Sequence, residues 1–326
     1  MTSRVLVCGG AGYIGAHVVR RLQRDGHAVV VLDNLSTGHR TAVGEAELID
    51  ADLLDPGALQ RVFAASTFDC VMHFAARSLV GESMVRPYDY YRGNVVGTLN
   101  LLEAMQHAGV GRMIFSSTAA VFGMPQSRLI DESHPTDPIN PYGASKLMVE
   151  RLLADAARAH GLRAVSLRYF NAAGASPEGG IGESHTPETH LVPLAIGAVL
   201  RDSRRLKVFG TDYDTPDGTC VRDYVHVDDL ADAHVRAMEL TGHAEGAHAF
   251  NLGNGAGFSV REVIESVARV GGREVPFDAA PRRAGDPPVL VASSARAREV
   301  LGWTPSYIEL DAIVRTAWDW HRAPAY

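Results

Sequence analysis

The sequence predicts an α/β protein, with a doubly wound parallel sheet over residues 1–171 and a smaller C-terminal α/β domain over 172–326, some of whose chain crosses back to the first. Three observations carry that expectation. Short apolar runs alternate with helical patterns through the first half, the order that builds parallel sheets. Those runs are nearly continuous in Val, Ile, Leu and Phe, as strands covered on both faces require. After Asn171 the rhythm gives way to Ala172–Glu188, rich in Gly, Pro, Ser and Glu, which reads as a long loop.

In chain order, the strands are expected at Arg4–Cys8, Ala28–Leu32, Ala46–Ile49, Cys70–Phe74, Arg112–Ser117 and Arg163–Tyr169. Helices between them include Ala16–Arg24, Asn94–His107 and Ala144–His160. Beyond the loop, Leu191–Leu200, Leu206–Phe209, Val227–Leu240, Ser259–Val270 and Leu310–Trp318 are further helix and strand pieces, with Asp212–Gly218 a turn-rich insert.

Composition narrows the function. The 326 residues are 46% hydrophobic and 21% charged, ordinary for a globular protein long enough for two domains. Lys and Arg number 31 against 38 Asp and Glu, a formal charge of −7. The small clusters at Arg201–Arg205 and Arg282–Arg283 do not make the basic stripe that nucleic-acid binding needs. Three cysteines, with Cys8 and Cys70 inside strand-like runs, argue against a disulfide scaffold and for a reducing, cytoplasmic setting. No signal-peptide pattern opens the chain, and no run of 18 apolar residues would span a membrane. No HExxH motif or Cys/His cluster is present, so no metal site is expected; His73 reads as a strand-end residue and His185 as a loop residue. Asp228, Asp229 and Asp232 read as a helix start, where negative charge suits the dipole.

The first chemical motif is Gly9-Gly10-Ala11-Gly12-Tyr13-Ile14-Gly15, placed between the first strand and the first helix. Glycines there permit a tight turn and close approach of a pyrophosphate, which the helix N-terminus then attracts. Asp33 closes the next strand 18 residues beyond Gly15. A carboxylate at that point accepts ribose hydroxyls and repels a 2′-phosphate, which favours NAD over NADP. The expected sheet is therefore Rossmann-like.

The second motif is Tyr142-Gly-Ala-Ser-Lys146 at a helix start. Spaced i, i+4, the two side chains share a face, and an adjacent ammonium would lower the phenol pKa. Such a tyrosine can exchange a proton with a sugar or alcohol hydroxyl. Thr118, 24 residues upstream, ends the strand Met113–Thr118 and adds a hydroxyl at the carboxyl edge of the sheet, where ligands bind in such folds.

Read in order, Gly9–Gly15, Asp33-Asn34-Leu35, Phe74-Ala75-Ala76, Ser116-Ser117-Thr118, Tyr142-x-x-x-Lys146, Arg168-Tyr-Phe-Asn171 and Arg222–Leu230 resemble the extended short-chain dehydrogenase/reductases over essentially the whole chain. Leu79–Ser83 and Gly210–Arg222 resemble most closely the branch that epimerises UDP-hexoses at C4. The resemblance implies tightly bound NAD, a UDP-hexose substrate and reversible interconversion of UDP-glucose and UDP-galactose through a 4-keto sugar. It implies a catalytic set of Thr118, Tyr142 and Lys146. It implies an NAD site of Gly9, Gly12, Tyr13, Ile14, Gly15, Asp33, Asn34, Leu35, Ser36, Thr37, Gly38, Asp52, Leu53, Phe74, Ala75, Ala76, Ser78, Asn94 and Phe170, shared with Tyr142 and Lys146. It implies a UDP-sugar site of Thr118, Asn171, His190, Leu191, Lys207, Val208, Phe209, Arg222, Arg283, Asp286 and Leu290. Arg222 and Arg283 suit a diphosphate, and Asp286 can accept from a ribose hydroxyl. A homodimer joined by Asn94–His107 and Ala144–His160 is also implied.

Three positions depart from the best-known bacterial pattern: Thr118 stands for Ser, Ser78 for a Lys, and Leu290 for a bulky Tyr against the sugar. Other UDP-sugars with an N-acetyl, pentose or uronate group stay open as substrates. A 4,6-dehydratase or decarboxylase shares the 4-keto intermediate but needs an acid after the catalytic hydroxyl, where Ala119 and Ala120 stand. A non-catalytic NAD sensor would be expected to lack Tyr142 or Lys146.

Overall fold

The structure is a computed structural model that describes residues 2–201, 204–283 and 285–326. Its framework is a seven-stranded parallel sheet built from β1 (Arg4–Cys8), β2 (Ala28–Asp33), β3 (Glu47–Asp50), β4 (Cys70–His73), β5 (Arg112–Thr118), β6 (Arg163–Tyr169) and β11 (Ala247–Leu252). The order is β11-β6-β5-β4-β1-β2-β3. The chain therefore runs outward from β1 on one side and from β4 on the other. The crevice between their carboxyl ends is the switch point at which open α/β sheets bind ligands.

Alternation along each strand loads both faces. Val5 and Val7 of β1 point with Val31, Met72, Ile114 and Val165 toward α1 (Tyr13–Arg24) and α8 (Val227–Leu240). Leu6 and Cys8 point with Leu32, Val71, Met113 and Phe115 toward α2 (Pro56–Ala65), α5 (Gly97–His107) and α6 (Pro141–His160). Each Leu or Phe fully buried this way is worth about 1.5–3 kcal/mol. The short helices α3 (Val80–Val85) and α4 (Pro87–Tyr90) lie beside α6.

A separate core joins α7 (Leu191–Leu200), α9 (Val260–Gly271) and α11 (Leu310–Arg322) to β8 (Leu206–Phe209) and β13 (Phe277–Ala280). Around it stand β7 (Asn171–Ala173) paired with β10 (Tyr224–His226), and β9 (Val221–Arg222) between β12 (Phe258–Ser259) and β14 (Val289–Leu290). Helix α10 (Ala295–Leu301) packs on β11. Thus α8 and β11, although they follow the long loop, complete the first sheet and one of its helical faces.

Several boundaries differ from the sequence reading for local reasons. Helix α6 starts at Pro141 rather than Ala144, because the Asn140 side chain accepts the Gly143 N–H at 2.8 Å and proline suits the first turn. Helix α5 starts at Gly97 rather than Asn94. The preceding Tyr91–Val96 is a π-turn, and it turns Asn94 inward onto Arg77 and Ser145. Strand β2 runs one residue further and includes Asp33.

Candidate active site

The glycine loop forms because side chains would not fit. Gly9 has φ of 81°, and a Cβ there would stand 2.4 Å from the Ala75 nitrogen. At Gly15 a Cβ would stand 2.2 Å from the Gly9 oxygen. Gly12 caps α1 without a side-chain hydrogen bond, which leaves the first-turn N–H groups for an external acceptor. Asp33, 8% exposed, accepts the Ala11 and Leu35 N–H groups, each at 2.9 Å. Each oxygen keeps lone pairs for a ribose hydroxyl. Asn34 and Asp52 hydrogen-bond each other at 2.9 Å beside it. This cradle fits a dinucleotide: bare helix N-terminus, close backbone and a carboxylate at the end of β2.

The residues expected around NAD do not all present side chains to the crevice. Leu53 is buried in the core beneath α2 and α5, and Phe74 packs on His234 at 4.7 Å between ring centroids. Ala75 hydrogen-bonds the Cys8 carbonyl through its N–H at 3.0 Å. The hydroxyl of Tyr13 donates to the Gly174 carbonyl at 2.6 Å, tying α1 to the long loop. Ser36, Thr37 and Ser78 are exposed, while Ile14, Gly38, Ala76 and Phe170 are half-buried.

Thr118 ends β5, and its hydroxyl accepts the Ala120 N–H at 3.1 Å. The Thr118 side chain faces the Tyr142 phenol and favours its ionised form. Gly143 is required next to it, because a Cβ there would stand 2.3 Å from the Ala120 oxygen. Lys146 follows one turn later, 2% exposed, and donates to the Ser116 carbonyl at 2.7 Å over the Phe115 ring. The expected lowering of the phenol by the lysine is not what the geometry produces. Burial raises Tyr142, and Thr118 opposes the rise. Burial lowers the Lys146 ammonium to about 7, against the pull of Glu150. Between about 7 and 10.5 the unfolded chain keeps that proton and the folded chain does not, so this group adds stability as pH rises through that window.

Behind the trio lies a buried ion pair that sequence reasoning missed. Arg168 donates to both oxygens of Glu150, at 2.9 and 2.5 Å, and Ser117 donates to the same carboxylate at 2.6 Å. Both charged side chains are 9% exposed. They brace β5 and β6 against α6, which sets Thr118 opposite Tyr142.

On the substrate side, Asn171, His190 and Leu191 line one small cavity with Tyr224 and Pro193. Arg222 pairs with Asp286, and Arg283 lies over the Phe209 ring at 4.1 Å. Arg222 and Asp286 are thus each other's partners, and Arg283 is held by the aromatic ring. Lys207 is exposed, whereas the Val208 side chain is buried in the C-terminal core and offers only backbone. Leu290 sits beside Arg222 across β14 and β9 and packs against the cluster of Ala119, Val121, Phe122 and Ile130, which Leu147 and Phe170 also flank. It therefore stands next to the turn that follows Thr118.

The long loop holds a second feature the sequence reading passed over. Glu183, His185, Glu188 and His190 converge, with ligand-capable atoms all within 4.8 Å of one another. The signal was the spacing Glu-x-His-x-x-Glu-x-His, against which a search for HExxH or Cys/His patterns is blind.

Residues 5–253 match the NAD dependent epimerase/dehydratase family. A UDP-glucose 4-epimerase of Azospirillum brasilense is 52% identical over 321 residues, covering 98% of this chain and 92% of its own. The crystal structure of UDP-glucose 4-epimerase from Brucella ovis in complex with NAD superposes with a TM-score of 0.95 at 49% identity, covering 98% of each chain. That of the Bifidobacterium longum enzyme in complex with NAD+ and UDP gives 0.92 at 37% identity, again covering 98% of each.

Proposed function

The chain belongs to the NAD dependent epimerase/dehydratase family, and from that premise we propose that it interconverts UDP-glucose and UDP-galactose by reversible inversion at C4, with NAD retained. Near full-length relatives that are UDP-glucose 4-epimerases, at about 50% identity, support the activity. The observation that carries the mechanism is the convergence of Thr118 at the end of β5 with Tyr142 on α6, Lys146 standing one turn behind on the Ser116 carbonyl.

NAD, when bound, supplies a reversible oxidant for C4. The glycine loop and the first turn of α1 would hold its pyrophosphate, Asp33 its ribose, and Lys146 its nicotinamide half. Tyr142 takes the 4-hydroxyl proton and later returns it. Thr118 orients the same oxygen. Arg222 and Arg283 grip the diphosphate, and Asn171, His190, Leu191 and Phe209 frame the nucleotide. Tight contacts to UDP and few to the hexose let the 4-keto sugar turn over inside the pocket. Ala119, 4% exposed, offers no acid for an elimination, which favours epimerisation over a dehydratase reaction. On this reading residues 1–171, completed by α8 and β11, form the cofactor domain, and the rest of 172–326 forms the sugar-nucleotide domain.

Leu290 is read as the filter for the group at C2, from its packing beside Phe170 and Ala119. Parallel assays on UDP-galactose and UDP-N-acetylgalactosamine should give main activity on the first and weak activity on the second. Leu290→Tyr should remove the weak activity and Leu290→Ser should raise it, by the ~1–3 kcal/mol that bulk in such a pocket is worth. Equal rates on both sugars, unchanged in Leu290→Tyr, would assign the filter elsewhere.

The chain is further read as a homodimer. Met84, Val85, Tyr88, Val96, Leu99 and Met148 are 61%, 81%, 79%, 44%, 41% and 44% exposed, on mutually packed segments from α3 to α6. An apolar face of that extent calls for a partner. Light scattering at low micromolar concentration should give twice the chain mass; a 35.0 kDa particle would refute the dimer. Among the described residues no helix is long and apolar enough to cross a membrane. The three cysteines are free and buried, in keeping with a cytoplasmic location.

A further inference from the structure

We propose that Glu183, His185, Glu188 and His190 form a divalent-metal site of the zinc type, which clamps the loop preceding α7 against the first turn of α1. The site lies outside the catalytic trio and adjoins the proposed nucleotide site through His190, so its test reads metal binding rather than turnover.

Geometry carries the case. Eight consecutive residues bring two imidazoles and two carboxylates to one point. Both histidines turn the same ring atom inward. The His190 Nδ1 is 2.6 Å from Glu183 and 3.2 Å from Glu188. The His185 Nδ1 is 3.2 Å from Glu183 and 3.8 Å from Glu188. Ligands ~2.0–2.2 Å from a tetrahedral zinc stand roughly 3.3–3.6 Å apart, so the observed separations straddle those of an occupied site.

Burial and charge point the same way. Glu183 is 3% exposed, and a carboxylate so buried needs cationic compensation. Its ion-pair partners are His185 and His190. Burial first, and then the negative charges of Glu183, Asp228 and Glu188, raise the Tyr13 phenol beside the site. Two nitrogens with two oxygens suit zinc better than magnesium or calcium, which prefer oxygen throughout. His190 is exposed and His185 half-buried, which leaves a route in from solvent.

The position defines the role. His190 is the N-cap residue of α7, and the His185 ring meets Tyr13, the first residue of α1, edge-on at 6.3 Å between centroids. One ion here would bond the loop to the N-cap of α7 and fix the His185 ring that rests on Tyr13 of α1. Without an ion, His–Glu pairing alone would hold the quartet.

The test uses the full chain as purified, carrying whatever nucleotide it retains, stripped with a chelator and dialysed into metal-free buffer. Zinc is titrated by calorimetry, and bound metal is counted by mass spectrometry after desalting. The expected result is one zinc per chain and a higher thermal midpoint in its presence. His185→Ala and the near-isosteric Glu188→Gln should each weaken binding by about 100-fold or more and abolish the thermal shift, since even groups behind the ligands cost 10–100-fold. Zinc well below one per chain in the wild type would overturn the site. So would equal affinity in wild type and both variants. Either result would leave an ion-pair network only.

Discussion

Tyr142→Phe is expected to lower turnover by about 10²–10⁴-fold, the usual worth of a positioned proton-transfer group. The change removes one oxygen and leaves the ring where it packs, edge-on to Tyr90 at 6.5 Å between centroids. Affinity for UDP should stay near wild type, because Arg222 and Arg283, the residues proposed to hold the diphosphate, stand on other elements. A kcat loss without a matching KM change is the mark of an interaction made in the transition state. Steady-state kinetics on UDP-galactose check this. Near wild-type turnover in the variant would move the base to another residue.

Arg168→Ala is expected to cost ~3–5 kcal/mol of stability, the range for breaking one side of a buried ion pair. Glu150 would then lie 9% exposed with only the Ser117 hydroxyl as a side-chain donor. The effect should reach the site, because α6 carries both Glu150 and Tyr142. Urea unfolding measures the loss. The double replacement Glu150→Leu with Arg168→Met should recover much of it, since an apolar pair leaves no stranded charge. A single variant as stable as wild type would show that water enters and screens the carboxylate.

Much of this was legible in the residues. The six expected strands of the first half are present within a residue or so at their ends, because parallel strands buried on both faces leave continuous apolar runs. The glycine loop and Asp33 were legible from sterics and spacing alone. Helix α2 was not identified, although Asp55-Pro56 is a cap signal and the Asp55 side chain accepts the Ala58 N–H at 3.0 Å. Strand β11, Ala-His-Ala-Phe-Asn-Leu, was missed because His248 and Asn251 break its apolar run, and its pairing with β6 is purely tertiary.

Side-chain destinations were the least legible part. The i, i+4 spacing puts Tyr142 and Lys146 on one face, but whether the ammonium reaches the phenol or the Ser116 carbonyl depends on β5, thirty residues upstream. Arg222 and Asp286 find each other across 64 residues. The Glu183–His190 quartet has a readable spacing, yet convergence needs a loop fold that no periodicity announces.

The most direct test follows the C4 hydrogen. Purified protein with no added NAD is given UDP-galactose deuterated at C4, and the UDP-glucose formed is analysed by mass spectrometry and NMR. The account predicts deuterium retained at C4 of the product, with no incorporation of solvent hydrogen, because the hydrogen leaves and returns within one closed site. Product carrying solvent hydrogen at C4, or no conversion by protein that retains its NAD, would contradict it.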